Sequence, residues 1–350
     1  MAIFTHLGFI IISLLTLSLN CYETDAREKS NTTAKYVAVI LFSLLMLYGA
    51  FGNIMMAVVL CCRDSPYSHA FIVITSQLII CDLLTFLPVI VVLPSILQNE
   101  NQSNVHQMTW IVRTTSSLKP FTFLSLIHFL LLLTINRFVA LILPKYNEFF
   151  ESAKLYFIII LIWFSALGIS TVDLYFCTRG FNALKLRWTE NCTIHSSEIF
   201  LRIRYLWLSL LPIAMFIMYV AMFCSIRRKR RFTSDISQAR KTSRIITTWK
   251  RMNIGKSYEQ SMLIQAALIC GFMELGVIFH NLLPLVIEKH NQHDVSLAIL
   301  INCYSICGRS ILPTIYFIYN KRARNFVKCF FLRLHLKVGI GRAAVVAHAN

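Results

Sequence analysis

Seven stretches of this chain are each long and apolar enough to cross a bilayer, and that number narrows the fold more than any other feature. A membrane-crossing helix needs about 20 mainly apolar residues. Runs of that kind cover 36–61, 70–97, 118–143, 155–176, 205–226, 262–286 and 295–319, with Asn-, Lys- or Arg-rich stretches between them. In hydrocarbon every backbone N–H and C=O must find a partner, so runs of this length are helices. Hydrophobic residues make up 57% of the chain and charged ones 14%, against about 45–50% apolar in a soluble domain. The expected fold is an all-α membrane protein, a seven-transmembrane helix bundle.

An eighth apolar run, Leu7–Leu19, is shorter. Its length suits the core of a signal peptide, although it lacks a basic start and a good cleavage site. Residues 1–20 are therefore expected to be a signal peptide or an uncleaved hydrophobic leader. Residues 21–35 would follow as an extracellular amino-terminal segment, 36–319 as the bundle and 320–350 as a cytoplasmic tail. No internal repeat is visible, and the loop 227–261 is too short for a separate domain.

Charge and glycosylation signals orient the chain the same way. With the amino terminus outside, the inner segments hold 21 Lys and Arg and the outer ones 11, as the positive-inside rule requires. The sequons at Asn31, Asn101 and Asn191 then all fall outside. The net charge of +18 thus reports topology and attraction to anionic membrane lipids rather than nucleic acid. Arg227-Arg-Lys-Arg-Arg231 opens the inner loop after the fifth run, with Ser234, Ser237, Thr242 and Ser243 beyond it as candidate kinase sites. The 11 cysteines show no zinc-site spacing. No metal or cofactor is expected. Neither H-E-x-x-H, G-x-S-x-G nor a paired-carboxylate helix motif occurs, which argues against an enzyme.

Of the ionisable residues within the runs, five matter most: Asp82, Lys119, Arg137, Glu274 and Arg309. Each is either a functional site or a side chain that snorkels or pairs. At 1.5 Å per residue, Asp82 and Glu274 lie roughly 18 Å and Arg309 roughly 15 Å from the inner ends of their helices, in one layer. Lys119 precedes Arg137 by about five turns and shares its face roughly 27 Å higher. There it either reaches outward to water or meets an acidic ligand or peptide carboxylate in a pocket with Phe123. The neighbouring Pro120 is expected to distort that part of the helix.

The order of short motifs resembles the rhodopsin-like G-protein-coupled receptors. Asn136-Arg137-Phe138 stands where that superfamily has Asp-Arg-Tyr, and Gly52-Asn53 where it has Gly-Asn. The stretch SQLIICDL carries Asp82, Trp163 suits the fourth-span tryptophan and Pro212 the fifth-span proline. Leu312-Pro313-Thr-Ile-Tyr316 resembles Asn-Pro-x-x-Tyr, and Asn320 to Phe326 resembles the start of a short amphipathic helix after the last span. The departures are informative. Asn136 and Leu312 replace the usual Asp and Asn, the sixth span reads Cys270-Gly-Phe-Met-Glu274 without a proline bend, and the third span has no outer cysteine. Together these features resemble the nematode serpentine chemoreceptors, class X.

The resemblance implies a ligand-activated receptor in the plasma membrane, sensory-neuron cilia included, that signals through a heterotrimeric G protein. Asn136, Arg137, Phe138, Pro313 and Tyr316 would serve coupling and activation. Asn53, Asp82, Glu274 and Arg309 would form a buried polar network, in which Arg309 replaces the family's sodium ion and pairs with Asp82. Cys177 and Cys192 are expected to pair with each other, the alternatives being two free thiols or a bond to Cys21. Pocket walls are expected from the outer halves of spans three, five, six and seven. Cys329 is a candidate for palmitoylation. The ligand, small molecule or peptide, is not readable. The competing reading is an ion channel or transporter with Asp82, Glu274 and Arg309 along its path.

Overall fold

The computed structural model describes residues 27–61, 68–97, 110–151, 153–183, 186–192, 196–239, 267–269, 271–272, 275–276, 295–321 and 323–330. Long helices dominate. They are α1 (Arg27–Cys61), α2 (His69–Leu97), α3 (Trp110–Ile142), α4 (Ala153–Phe176) and α5 (Ser196–Ala239). Then come α6 (Val295–Gly308) and α7 (Ile311–Tyr319). Among the described residues five helices are long and apolar enough to cross a membrane, and α6 with α7, bent by 53°, makes a sixth when the pair is taken as one span. Most of the expected sixth run, 262–286, and with it Glu274, lies outside the described residues.

The spans fall where the apolar runs place them, but several helices outlast the runs. Helix α1 starts at Arg27 and carries Asn31, within the segment expected to precede the bundle. Helix α3 starts at Trp110, and α5 runs 44 residues to Ala239. That is about 66 Å of helix, roughly twice the hydrocarbon thickness, so the Arg227–Arg231 cluster rides on a helix projecting from the membrane. Once a helix is nucleated in lipid, polar flanks of good helix formers continue it into water.

Helix α3 sits centrally, packed against α2, α4 and α5, while α1 packs on α2, α6 and α7. A core of Leu78, Ile127, Phe129, Leu132, Met215 and Tyr316 joins α2, α3, α5 and α7. Outward faces carry bare hydrophobics such as Phe157, Phe164, Leu206 and Phe216. On a soluble protein such patches would be a liability; in lipid they are the expected surface. Trp163 on α4 donates its indole N–H to Gln77 Oε1 of α2 at 3.0 Å. Thr134 of α3 hydrogen-bonds Tyr219 of α5 at 2.8 Å.

Pro120 does not break α3, which is continuous through it. Thr122 Oγ1 donates to the carbonyls of Leu118 and Lys119 at 2.9 and 3.1 Å, as transmembrane helices commonly do around proline. After α3, Pro144 opens a single 3₁₀ turn to Tyr146. A two-stranded antiparallel hairpin, β1 (Cys177–Asn182) and β2 (Arg187–Cys192), joins α4 to α5. At the far end, Asn320 Oδ1 accepts the N–H of Ala323 at 3.1 Å. It acts as the N-cap of a helical stretch over 323–330, where a short helix after the last span is expected.

Candidate functional site

The bend in the last span is the structural centre of the site. Its cause is covalent: Pro313 has no N–H, so the carbonyl four residues earlier, that of Arg309, loses its helical partner. The backbone tightens to i→i+3 bonds there, Arg309 N–H to Ile306 O at 3.1 Å and Ser310 N–H to Cys307 O at 2.9 Å. The orphaned Arg309 carbonyl is taken by Asn53, whose Nδ2 donates to it at 2.9 Å and to Gly49 O at 2.9 Å. Such an approach needs small residues on α1. A Cβ on Gly52 would stand 3.3 Å from Pro313 Cγ, and one on Gly49 only 2.7 Å from Phe86 Cζ. Tyr48 adds a hydroxyl bond to Thr314 at 2.8 Å. The Gly-Asn and Pro-x-x-Tyr positions are therefore halves of one joint.

The guanidinium of Arg309 stands 3.7 Å from Asp82 Oδ1, with side-chain exposures of 7% and 2%. The depth estimate that put both in one layer holds. The pair is loose. Among the described residues, Asp82 Oδ1 and Arg309 Nε and Nη1 have no hydrogen-bond partner. The ring of Phe123 lies 5.9 Å from the Arg309 guanidinium carbon.

Above this layer is a cavity under the hairpin. Lys119 of α3 and Arg309 contribute its cationic lining. Phe86, Val92 and Ile96 of α2, with Trp188 of the hairpin, contribute an apolar one. Among the described residues the walls come from α1, α2, α3, α6 and the hairpin. Pro88, one of two prolines inside the continuous helix α2, is part of the lining. Lys119 lines the cavity, whereas Phe123 is not among its lining residues and instead lies beneath Arg309.

The hairpin is held as a lid. Cys177 and Cys192 form a disulfide across its base, as expected. Ser116 of α3, near where the wider superfamily carries a cysteine, donates to Arg179 O at 3.1 Å. Lys119 Nζ lies 4.6 Å above the Trp188 ring. Asn302 of α6 donates to Leu186 O at 2.7 Å. Leu186 is fully buried with φ 46°, a left-handed conformation uncommon outside Gly and Asn.

A second buried ion cluster lies beside the lid. Asp173 of α4, 2% exposed, meets Arg179 of β1 at 2.8 Å and Arg204 of α5 at a hydrogen bond. It is absent from the five embedded charges read above because Arg179 and Arg204 sit at run edges and look like loop charges. The available signal was Asp173 itself, an acid inside the fourth apolar run.

At the opposite end of α3, Arg137 lies over Phe71 of α2, 4.3 Å from the ring centroid. Asn136 beside it is buried and Phe138 packs on the core. A cation–π contact thus holds Arg137 where no Asp precedes it. Pro313 and Tyr316 are buried on α7. The side chains of Asn31 and Asn191, and the whole of Asn101 and Cys21, lie outside what is described.

No curated protein matches the chain. The profile of the family described as "Serpentine type 7TM GPCR chemoreceptor Srx" matches residues 43–287, from the middle of α1 through the disulfide-closed hairpin and beyond α5. With its apolar helices and that span of the match, this multi-pass membrane protein belongs to the serpentine type 7TM GPCR chemoreceptor Srx family.

Proposed function

We propose that the chain is a ligand-activated chemoreceptor that couples to a heterotrimeric G protein, with its amino terminus and hairpin outside and Arg137 inside. The observation that carries this reading is one continuous helix, α3, with a cavity-lining cation at one end and Arg137 at the other. Binding at the cavity would shift the population of bundle states, and the G protein would select the same open state from the inner face. The charge distribution supports the orientation. So does the disulfide at the hairpin end, since such bonds form on the oxidising side of a membrane. Asn31, Asn101 and Asn191 would carry glycans there. A chemosensory role fits the plasma membrane of sensory cilia.

The test is a second-messenger and calcium assay in transfected cells. Wild type is compared with Arg137→Ala at matched surface level, against odorants, pheromone-like small molecules and peptides. Responses lost in the variant are expected. Responses retained there, or carried as current with G proteins blocked, would sink the proposal and favour a channel.

A further inference from the structure

The cavity under the hairpin is only about 30 Å³, room for roughly one or two waters. The room between α1, α2 and α6 is taken by the hairpin itself. Phe181, Ala183 and Leu186, each 4% exposed or less, share one buried apolar cluster with Leu41 of α1, Ile96 of α2 and Ile299 of α6. The base of the hairpin is fastened elsewhere, to α3 through Ser116 and to α4 through Asp173. Leu186 meets α6 as a ligand would. Its side chain is fully buried, and its carbonyl accepts a hydrogen bond from Asn302 Nδ2 at 2.7 Å. Asn302 Nδ2 also donates to Ala298 O at 2.8 Å, so the amide has one hydrogen to offer the hairpin. The backbone of Leu186, at φ 46°, is one that a leucine keeps only where its surroundings hold it.

We propose that the inner end of the hairpin is a built-in occupant of the ligand site, and that the site takes in its place a small, neutral, mainly apolar molecule with one acceptor oxygen. The inference rests on the receptor reading above and names its ligand class. Lys119 is engaged with Trp188 and Arg309 with Asp82, so the chemistry open to a newcomer is that of the occupant: an apolar body against α1, α2 and α6, and an oxygen for Asn302. Withdrawal of Leu186 releases its left-handed backbone, which favours the exchange. The exchange also reaches the bend. Asn302 stands about two turns before Arg309 on the same span, so a change of partner at Asn302 acts on the outer arm of the joint that Asn53 holds.

The experiment uses the full chain in phosphatidylcholine nanodiscs without any G protein. The probe is 5-methyl-2-hexanone, which reproduces the carbonyl and side chain of a leucine, beside 2-methylhexane, which lacks the oxygen. The ketone should raise the melting temperature saturably and the alkane should not. Leu186→Ala leaves less of the occupant to displace and should tighten the ketone's apparent affinity by roughly tenfold. Asn302→Leu should abolish the preference for ketone over alkane. Displacement is read in Leu186→Cys by labelling with a water-soluble maleimide, followed at that residue by peptide mass spectrometry. Labelling should be slow alone and several-fold faster with saturating ketone. Equal shifts from ketone and alkane, no saturable shift from the ketone in wild type or Leu186→Ala, a preference that survives Asn302→Leu, or labelling that the ketone leaves unchanged would each overturn the inference. Ketone binding with faster labelling but no cellular signalling would keep it and defeat the G-protein reading; signalling to ligands with no ketone binding here would do the reverse.

Discussion

Two buried ion clusters lie in the same molecule and are built in opposite ways. Asp173 is gripped by two arginines from two different elements, and its contact with Arg179 is 2.8 Å. Asp82 has one arginine at 3.7 Å, and its Oδ1 has no hydrogen-bond partner among the described residues. The first ties α4, β1 and α5 together at the hairpin. The second sits against a helix break. A closely paired carboxylate fixes the elements it joins, because removing a member strands a buried charge. A carboxylate whose partner stands further off ties its elements less firmly.

That contrast can be broken by substitution. Asp173→Asn should be the most damaging change, about 3–5 kcal/mol, seen as a collapse of surface level and of the melting temperature of purified receptor. Replacing both Cys177 and Cys192 by Ser should come next. The loop spans 15 residues, for which the chain-entropy model gives about 3 kcal/mol, and added reductant should mimic it in wild type. Asp82→Asn combined with Arg309→Gln, which leaves no lone buried charge, should lose only about 1–3 kcal/mol, with surface delivery largely kept. Equal damage from that double change and from Asp173→Asn would erase the distinction between the two clusters. The smallest change is Phe71→Leu, which removes the ring under Arg137. A cation–π contact is worth about 0.5–1 kcal/mol at such a site, enough to raise basal second-messenger output a few-fold at matched expression. Unchanged basal output would show that Phe71 does not restrain Arg137.

Much of the bundle was legible because lipid enforces simple rules. Apolar length alone placed the described spans, and residue counting at 1.5 Å put Asp82 and Arg309 in one layer. The hairpin disulfide followed from likeness to a family rather than from geometry. Helix ends were less legible, since polar flanks such as 27–35 and the far part of α5 continue helical outside the membrane. Partners chosen by tertiary packing were not legible at all. Nothing in the sequence pairs Arg137 with Phe71, and the cavity's lining depends on how four helices and the hairpin meet. Arg179 and Arg204 read as loop charges because their burial depends on a hairpin folding back over the bundle.

The forked bond of Asn53 also bears on how the chain is made. Its amide serves two carbonyls, one four residues away and one 256 residues away in sequence. During synthesis α1 enters the membrane long before the last span exists. A bare carboxamide in hydrocarbon would be costly, but the Gly49 carbonyl lies in the same helix and can hold it from the start. Arrival of the last span then adds the second bond without breaking the first. The first helix can therefore wait in the bilayer as a ready template for the last, and the joint closes only when the whole receptor has been translated.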